Sequence, residues 1–264
     1  MAPRNPNIPV DQQISQVNTN QEPHLILDMP KEGDTLSSPF ELKGKVKGWF
    51  FEGSFPVYLT DKDGKPIIIT DGVGEGIPVK SIGDWMTSEY VSFDQKIGFV
   101  TDATDGFLVL QKDNPSDDRS LDEQVKIPVH FAPQDTMRVN VYLGNSVFNP
   151  NQVDCTQVYP VERVVPKSSK TATTALNELL KGVIGGESKD GYITSINPGV
   201  TLKSISVSAG TASVDFSSGL GDQVAGSCRV AAIRAEIEQT LKQFPTIQNV
   251  IISIDGVSEG ILQP

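Results

Sequence analysis

Between residues 22 and 132 the chain is a succession of short apolar runs, and none of them keeps a helical period. HLILDMP, PFELKGKVKGWFF, FPVYLTD, PIIITD, YVSFDQKIGFV, GFLVLQK and KIPVHF follow one another, punctuated by Gly, Pro and Asp, with DKDGK an evident turn. About seven strands in roughly 110 residues predict an antiparallel sandwich of immunoglobulin type.

A different pattern begins near Met137. MRVNVYLGN alternates as a strand does, and QVYPVERVVP is extended. In TATTALNELLKGVIGG the period changes: Leu176, Leu179, Leu180, Val183 and Ile184 fall at helical spacing. Ser169 or Thr171 is the expected cap, and Gly185 with Gly186 the expected stop. TLKSISVSAGTASVDFS reads as a hairpin with Ile205 and Val207 on one face of its first strand and Ala212, Val214 and Phe216 on one face of its second. SCRVAAIRAEIEQTLKQFP is the strongest helix, with Val230, Ile233, Ile237, Leu241 and Phe244 in one stripe, Ser227 as its cap and Pro245 at its end. NVIISID closes as a strand. The order β-β-α-β-β-α-β predicts an α+β unit over 134–264, after an all-β unit over 22–133 and a flexible tether over 1–21.

Within the first unit, Trp49, Phe50, Phe51 and Phe55 form an aromatic cluster. A period of two from Glu41 to Phe51 puts Leu42, Val46 and Phe50 on the core face, joined by Phe55, Val57 and Leu59. Lys43, Lys45, Lys47, Trp49 and Phe51 then face outward, unless a bulge at Gly48 or Gly53 swings an aromatic inward. The cluster therefore has two readings, packing or a partner-binding patch centred on Trp49.

Charge narrows the function. The chain has 264 residues with 33 acidic and 22 basic side chains, a net of −11. Residues 22–133 hold 20 acids and 11 bases, and residues 134–264 hold 12 and 10. This balance disfavours nucleic acid and anionic bilayers, both of which need clustered Lys and Arg. No apolar run approaches the roughly 20 residues that span a membrane, and the first residues lack the basic start and apolar stretch of a signal peptide. Membrane attachment is expected only through an upstream anchor.

Two motifs resemble catalytic or nucleotide signatures in spelling alone. GVSEG, with Ser258, matches G-x-S-x-G, but no helix can follow it and both histidines, His24 and His130, come long before it. GVGEG over 72–76 is followed by Pro78 and opens no helix. The Asp-rich turns, including Asp113, Asp117, Asp118 and Asp122, have the oxygen chemistry of calcium sites without EF-hand spacing. No cofactor motif and no metal-ligand cluster is present. Cys155 and Cys228 are either two buried thiols or one disulfide closing a loop of about 73 residues, which would stabilise by roughly 4 kcal/mol. The expectation is the disulfide, since Cys228 stands at a helix N-terminus, where a free thiol is reactive.

The first half, through MPKEGDTLSSPFELKGKVKGWFFEGSFPVYLTDKDGK and the later YVSFDQKIGFV, GFLVLQKDNPSD and KIPVHF, resembles the immunoglobulin-like domain of bacterial spore germination. Pro39, Gly44, Phe51, Glu52, Asp61 and Gly64 sit at its pattern positions. The second half, through VNVYLGN, CTQVYPVERVVP, TALNELLKG, VDFS, the long helix segment and the terminal LQP, resembles the GerMN-type domain of sporulation and spore germination. That fold is itself similar to the ring-building motif of secretion and sporulation assemblies. AGS, with Ala225, stands where the family has Gly-Gly-Ser. The resemblance implies an exported envelope protein, often a lipoprotein at the outer face of the cytoplasmic membrane, with no catalytic residues to carry over. The expected function is a non-enzymatic extracytoplasmic scaffold that binds envelope proteins or itself. The alternative is a module that stacks cell-wall or cortex glycan, peptidoglycan included, on Trp49, Trp85 or Tyr90. Trp49, Phe51, Trp85 and Tyr90 are the candidate partner surface.

Overall fold

The computed structural model describes residues 22–69, 76–116 and 118–262. The tether over 1–21, most of the GVGEG loop, Asp117 and the last two residues of LQP lie outside them.

The first unit contains β1 (Leu25–Met29), β2 (Thr35–Leu36), β3 (Phe40–Val46), β4 (Ser54–Asp61), β5 (Ile68–Ile69), β6 (Ile77–Lys80), β7 (Val91–Ile97), β8 (Phe99–Val100), β9 (Asp105–Gln111) and β10 (Gln124–Phe131). One sheet has the order β1-β3-β7 and the other β2-β10-β9-β4-β6. All their pairings are antiparallel except β2 with β10. The strands alternate because each sheet has one wet face. Leu42 and Val46 of β3, Phe93 of β7, Val57 and Leu59 of β4, and Leu108 and Leu110 of β9 meet in one apolar core. On the wet face of β3, Lys43 stands opposite Asp94 and Glu41 opposite Lys96, so the lysine row is met by cross-strand acids.

Residues 132–135 lead directly into β11 (Thr136–Asn145). β12 (Tyr159–Pro166), α1 (Thr171–Leu180), β13 (Tyr192–Ile193), β14 (Leu202–Ser208), β15 (Thr211–Phe216), α2 (Ser227–Lys242) and β16 (Asn249–Ile254) follow. This is the expected order with the two-residue β13 added. The sheets are β12-β11-β13 and β14-β15-β16, and β15 runs parallel to β16. Ala212, Val214 and Phe216 all point into the core, as their alternation requires, and meet Val230, Ile233, Ile237 and Leu241 of α2. On its other side α2 reaches β11, where Thr240 Oγ1 accepts from Tyr142 N at 3.0 Å and Gln243 bonds the backbone of Asn140.

The helix ends differ from the expectation. α1 begins after Lys170 and stops at Leu180, with Gly182 in the left-handed region at φ 71°, so the stop comes before Gly185 and Gly186. Val183 and Ile184 therefore lie beyond the helix. Ser227 is the first residue of α2, and the capping position belongs to Gly226, which has no side chain to offer. Neither Ser169 nor Thr171 provides a capping side chain to α1.

The apolar cores of the two units share no residue, β8 lies against β12 where the units meet, and among the described residues an ion pair crosses between them. Arg138 of β11 bonds Asp102 of the first unit, with Nε at 3.0 Å, and also pairs with Glu162 of β12.

Candidate functional site

β3 ends at Val46, and the next residues decide where the aromatics go. Gly48 takes φ 68°, a conformation that side-chain-bearing residues rarely adopt. That kink ends the alternation and turns Trp49 inward. Trp49 is fully buried, edge-on to Phe55 at 5.8 Å, and Phe55 in turn packs against Phe50 at 5.2 Å and Phe93 at 5.3 Å. The outward face that simple alternation gives Trp49 is thus replaced by the alternative of an irregularity at Gly48, and of the two readings of the cluster packing holds for Trp49, which is not the centre of a partner surface. Its indole N–H finds no acceptor among the described residues.

Phe51 does face out, 38% exposed. It opens a tight turn in which Glu52 at φ 48° and Gly53 at φ 77° are both left-handed, closed by Phe51 N to Ser54 O at 3.0 Å and the reciprocal bond at 3.1 Å. Half-buried Trp85 lies over this turn: a Cβ added to Gly53 would stand 3.4 Å from its ring. Ser81 N donates to Gly53 O at 2.9 Å and anchors the 81–90 loop to the same turn. That loop also carries Ile82 and Met86, 57% and 74% exposed. The turn and the loop bonded to it thus carry exposed Phe51, Ile82 and Met86 and half-buried Trp85.

Tyr90 has other partners. Its hydroxyl donates to Pro23 O, and the ammonium groups of Lys45 and Lys47 lie 5.0 and 5.7 Å from its ring centre. With Trp49 buried and Tyr90 covered, two of the three platforms proposed for glycan stacking are occupied by the protein itself.

Beside this surface, burial raises the Asp113 carboxyl above its ordinary range, with a smaller contribution from Glu52. Asp118 is used locally, accepting from Ser120 N at 2.9 Å. Among the described residues no group of three or more His, Cys, Asp or Glu is arranged to hold a metal. Ser258 lies exposed after β16. His24 and His130 are both in the first unit, paired with Glu123 and Asp105.

In the second unit the structure joins Cys155 and Cys228 in a disulfide with Cα atoms 5.1 Å apart. It ties the loop after β11 to the first turn of α2. Asn145 and Asn149 shape that loop from within, Asn145 Oδ1 accepting from Val147 N at 2.8 Å and Asn149 Nδ2 donating to Asp154 O at 2.7 Å. An open depression of about 700 Å³ adjoins the bridge, bordered by Asn197, Gly226 and Arg229. The Arg229 guanidinium is already committed there, to Asn197 Oδ1 at 2.6 Å and to nearby carbonyls.

Arg163 and Glu236 are buried ionisable groups without a place in the sequence reading. Arg163 of β12 is 2% exposed and bonds the carbonyls of Glu178 and Gly182, satisfying the end of α1. Glu236 of α2 is 1% exposed and accepts from Thr194 Oγ1 at 2.6 Å and Ser195 N at 2.8 Å. Burial, only partly offset by these bonds, pushes its carboxyl up to about 7. Both had a signal: Arg163 shares parity with Val161 and Val165, and Glu236 lies beside Ile233 and Ile237 on the buried stripe.

No helix among the described residues is long and apolar enough to cross a membrane. Residues 140–259 match the family model Germane, sporulation and spore germination. No curated protein matches the chain. Among solved structures, the tandem GerMN domains of the sporulation protein GerM from Bacillus subtilis align at 23% identity over 47% of this chain and 40% of that one, with a TM-score of 0.37. The first GerMN domain of the same protein aligns at 23% identity over 46% of this chain and 85% of that one, with a TM-score of 0.35. A lipoprotein from Clostridium perfringens aligns at 15% identity over 48% and 80%, with a TM-score of 0.32. The chain thus spans about two fifths of the tandem GerM structure. Over residues 140–259 the second unit is thus similar to the sporulation and spore germination family.

Proposed function

We propose that the protein is a non-enzymatic scaffold of the cell envelope, working outside the cytoplasm, in which an immunoglobulin-like module over 22–133 presents a protein-binding surface ahead of the GerMN-type module. The observation that supports the binding role is half-buried Trp85 packed on the Phe51–Ser54 turn, with exposed Phe51, Ile82 and Met86 on that turn and the loop bonded to it. Monomeric surfaces scatter such residues singly, and a contiguous group of them marks a docking site. The Cys155–Cys228 disulfide supports an oxidising compartment.

The test compares the chain with a Trp85→Ala, Met86→Ser variant, each immobilised and offered detergent-solubilised envelope proteins and, separately, purified peptidoglycan. The expected result is a specific envelope protein retained by the parent and lost by the variant, with peptidoglycan retained by neither. Retention of peptidoglycan by the parent alone would replace the scaffold with the glycan-binding reading.

A further inference from the structure

The β14-β15-β16 sheet leaves β14 at its edge. Among the described residues β14 pairs with β15 alone, so alternate residues turn their N–H and C=O groups outward. Soluble proteins usually blunt such an edge with charge, proline, a bulge or a covering element. Here the bulge lies at the far end, between Leu202 and Ser204, and residues 204–208 read Ser-Ile-Ser-Val-Ser. The nearest charge, Lys203, is bonded to Asp255. In a chain of net charge −11, this uncharged edge is an exception.

An open groove of about 820 Å³ runs beside the strand, between β14 and the first turns of α1. Ala172, Ile205, Val207, Phe244 and Ile247 give it apolar walls, and Val207 is 46% exposed. Hydrogen-bonding groups in a row beside an apolar trough fit an extended strand, whose backbone completes the ladder while its side chains fill the trough.

We infer that the strand is β14 of a second copy, paired antiparallel across a twofold axis through Ile205. The segment is self-complementary in that register. Ile205 stands opposite itself on the helix side, Ser204 of one copy opposite Ser206 of the other, and Val207 opposite Lys203. Antiparallel cross-strand pairs of hydroxyls and of branched apolar residues are favourable, and no like charges meet. The product is one continuous six-stranded sheet with the helices of both copies on the same face. The interface is isologous, so it closes at two copies.

Sedimentation velocity on the purified full chain across the micromolar range tests this, because a Val207→Lys change sets like charges opposite each other twice per dimer and a Val207→Glu change sets opposite ones. A reversible dimer is expected for the parent. Val207→Lys should weaken it about tenfold or more, the effect of two repulsive cross-strand pairs, while Val207→Glu and Val153→Lys, on a different exposed loop, should retain it. A Ser204→Lys, Ser206→Lys double change, which sets lysines opposite each other on the solvent face of the strand, serves as the second disrupting variant if Val207→Lys does not fold. A monomeric parent, equal effects of Lys and Glu at 207, or loss of the dimer in Val153→Lys would each overturn the inference. The measurement involves no envelope protein, so a monomeric parent would leave the proposed scaffold function standing.

Discussion

Arg163 and Glu187 meet in a two-point ion pair inside the second unit, Nε to Oε1 at 2.9 Å and Nη2 to Oε2 at 2.7 Å. Glu187 Oε2 also accepts from Ile184 N at 2.8 Å, so one guanidinium joins β12, the end of α1 and the turn that follows it. Removing Arg163 leaves the largely buried Glu187 carboxylate without its cation, with Ile184 N as its remaining partner, and frees the carbonyls of Glu178 and Gly182. Arg163→Ala should therefore destabilise the unit by about 3–5 kcal/mol in denaturant unfolding. An Arg163→Met, Glu187→Leu double variant should lose less than either single change, and a double-mutant cycle reads the difference.

Glu236 gives the second unit a pH dependence of unusual sign. Its folded value of about 7 stands above the ordinary 4.5, so the folded state keeps a proton that the unfolded state has released between those values. The contribution is fully present below pH 4.5, is lost as pH rises towards 7, and amounts to on the order of 3 kcal/mol. Asp154 and Asp215 are held below their ordinary range by hydrogen bonds and act in the opposite direction, in a lower pH window. The urea midpoint should fall from pH 5 to pH 8 in the parent and stay flat in Glu236→Gln. A parallel slope in both would place the titration elsewhere.

Reduction of the Cys155–Cys228 bridge, which spans 73 residues of sequence, should lower the stability of the second unit by roughly 4 kcal/mol on the chain-entropy account. The first unit should melt unchanged. Two transitions followed with and without reductant provide the check, together with a count of free thiols, which should be zero before reduction.

The two tryptophans should separate packing from binding. Trp49→Ala opens a cavity beside Phe55 and should cost about 3–5 kcal/mol. Trp85→Ala, at the rim, should stay within about 1 kcal/mol of the parent. Iodide should quench the emission of Trp85 and leave the blue-shifted emission of Trp49 untouched. Equal quenching of both would contradict the buried placement.

Periodicity made the element order legible, because strands and helices with one wet face must alternate or repeat. Ala212, Val214, Phe216 and the stripe from Val230 to Leu241 lie where their spacing puts them. It failed where the backbone leaves the regular regions. The left-handed Gly48 reverses Trp49, and Gly182 ends α1 three residues earlier than the Gly-Gly pair suggested. The Phe51–Trp85 proximity was half legible, since both residues and the irregularity at Gly53 have a signal in the sequence while the docking of the 81–90 loop on that turn has none. Ile82 and Met86 had no signal, because exposure in a loop depends on which elements the loop crosses.

The four-residue connection between β10 and β11 has a mechanical consequence. Tension arriving from the first unit enters the second along β11, at the end paired with β12, while β13 joins β11 only at Gly144 and Asn145. The β11–β12 ladder, from Thr136 opposite Pro166 to Leu143 opposite Tyr159, is then loaded in shear, so its hydrogen bonds share the force rather than opening one after another. A chain pulled through its first unit is protected by that geometry against being pulled apart.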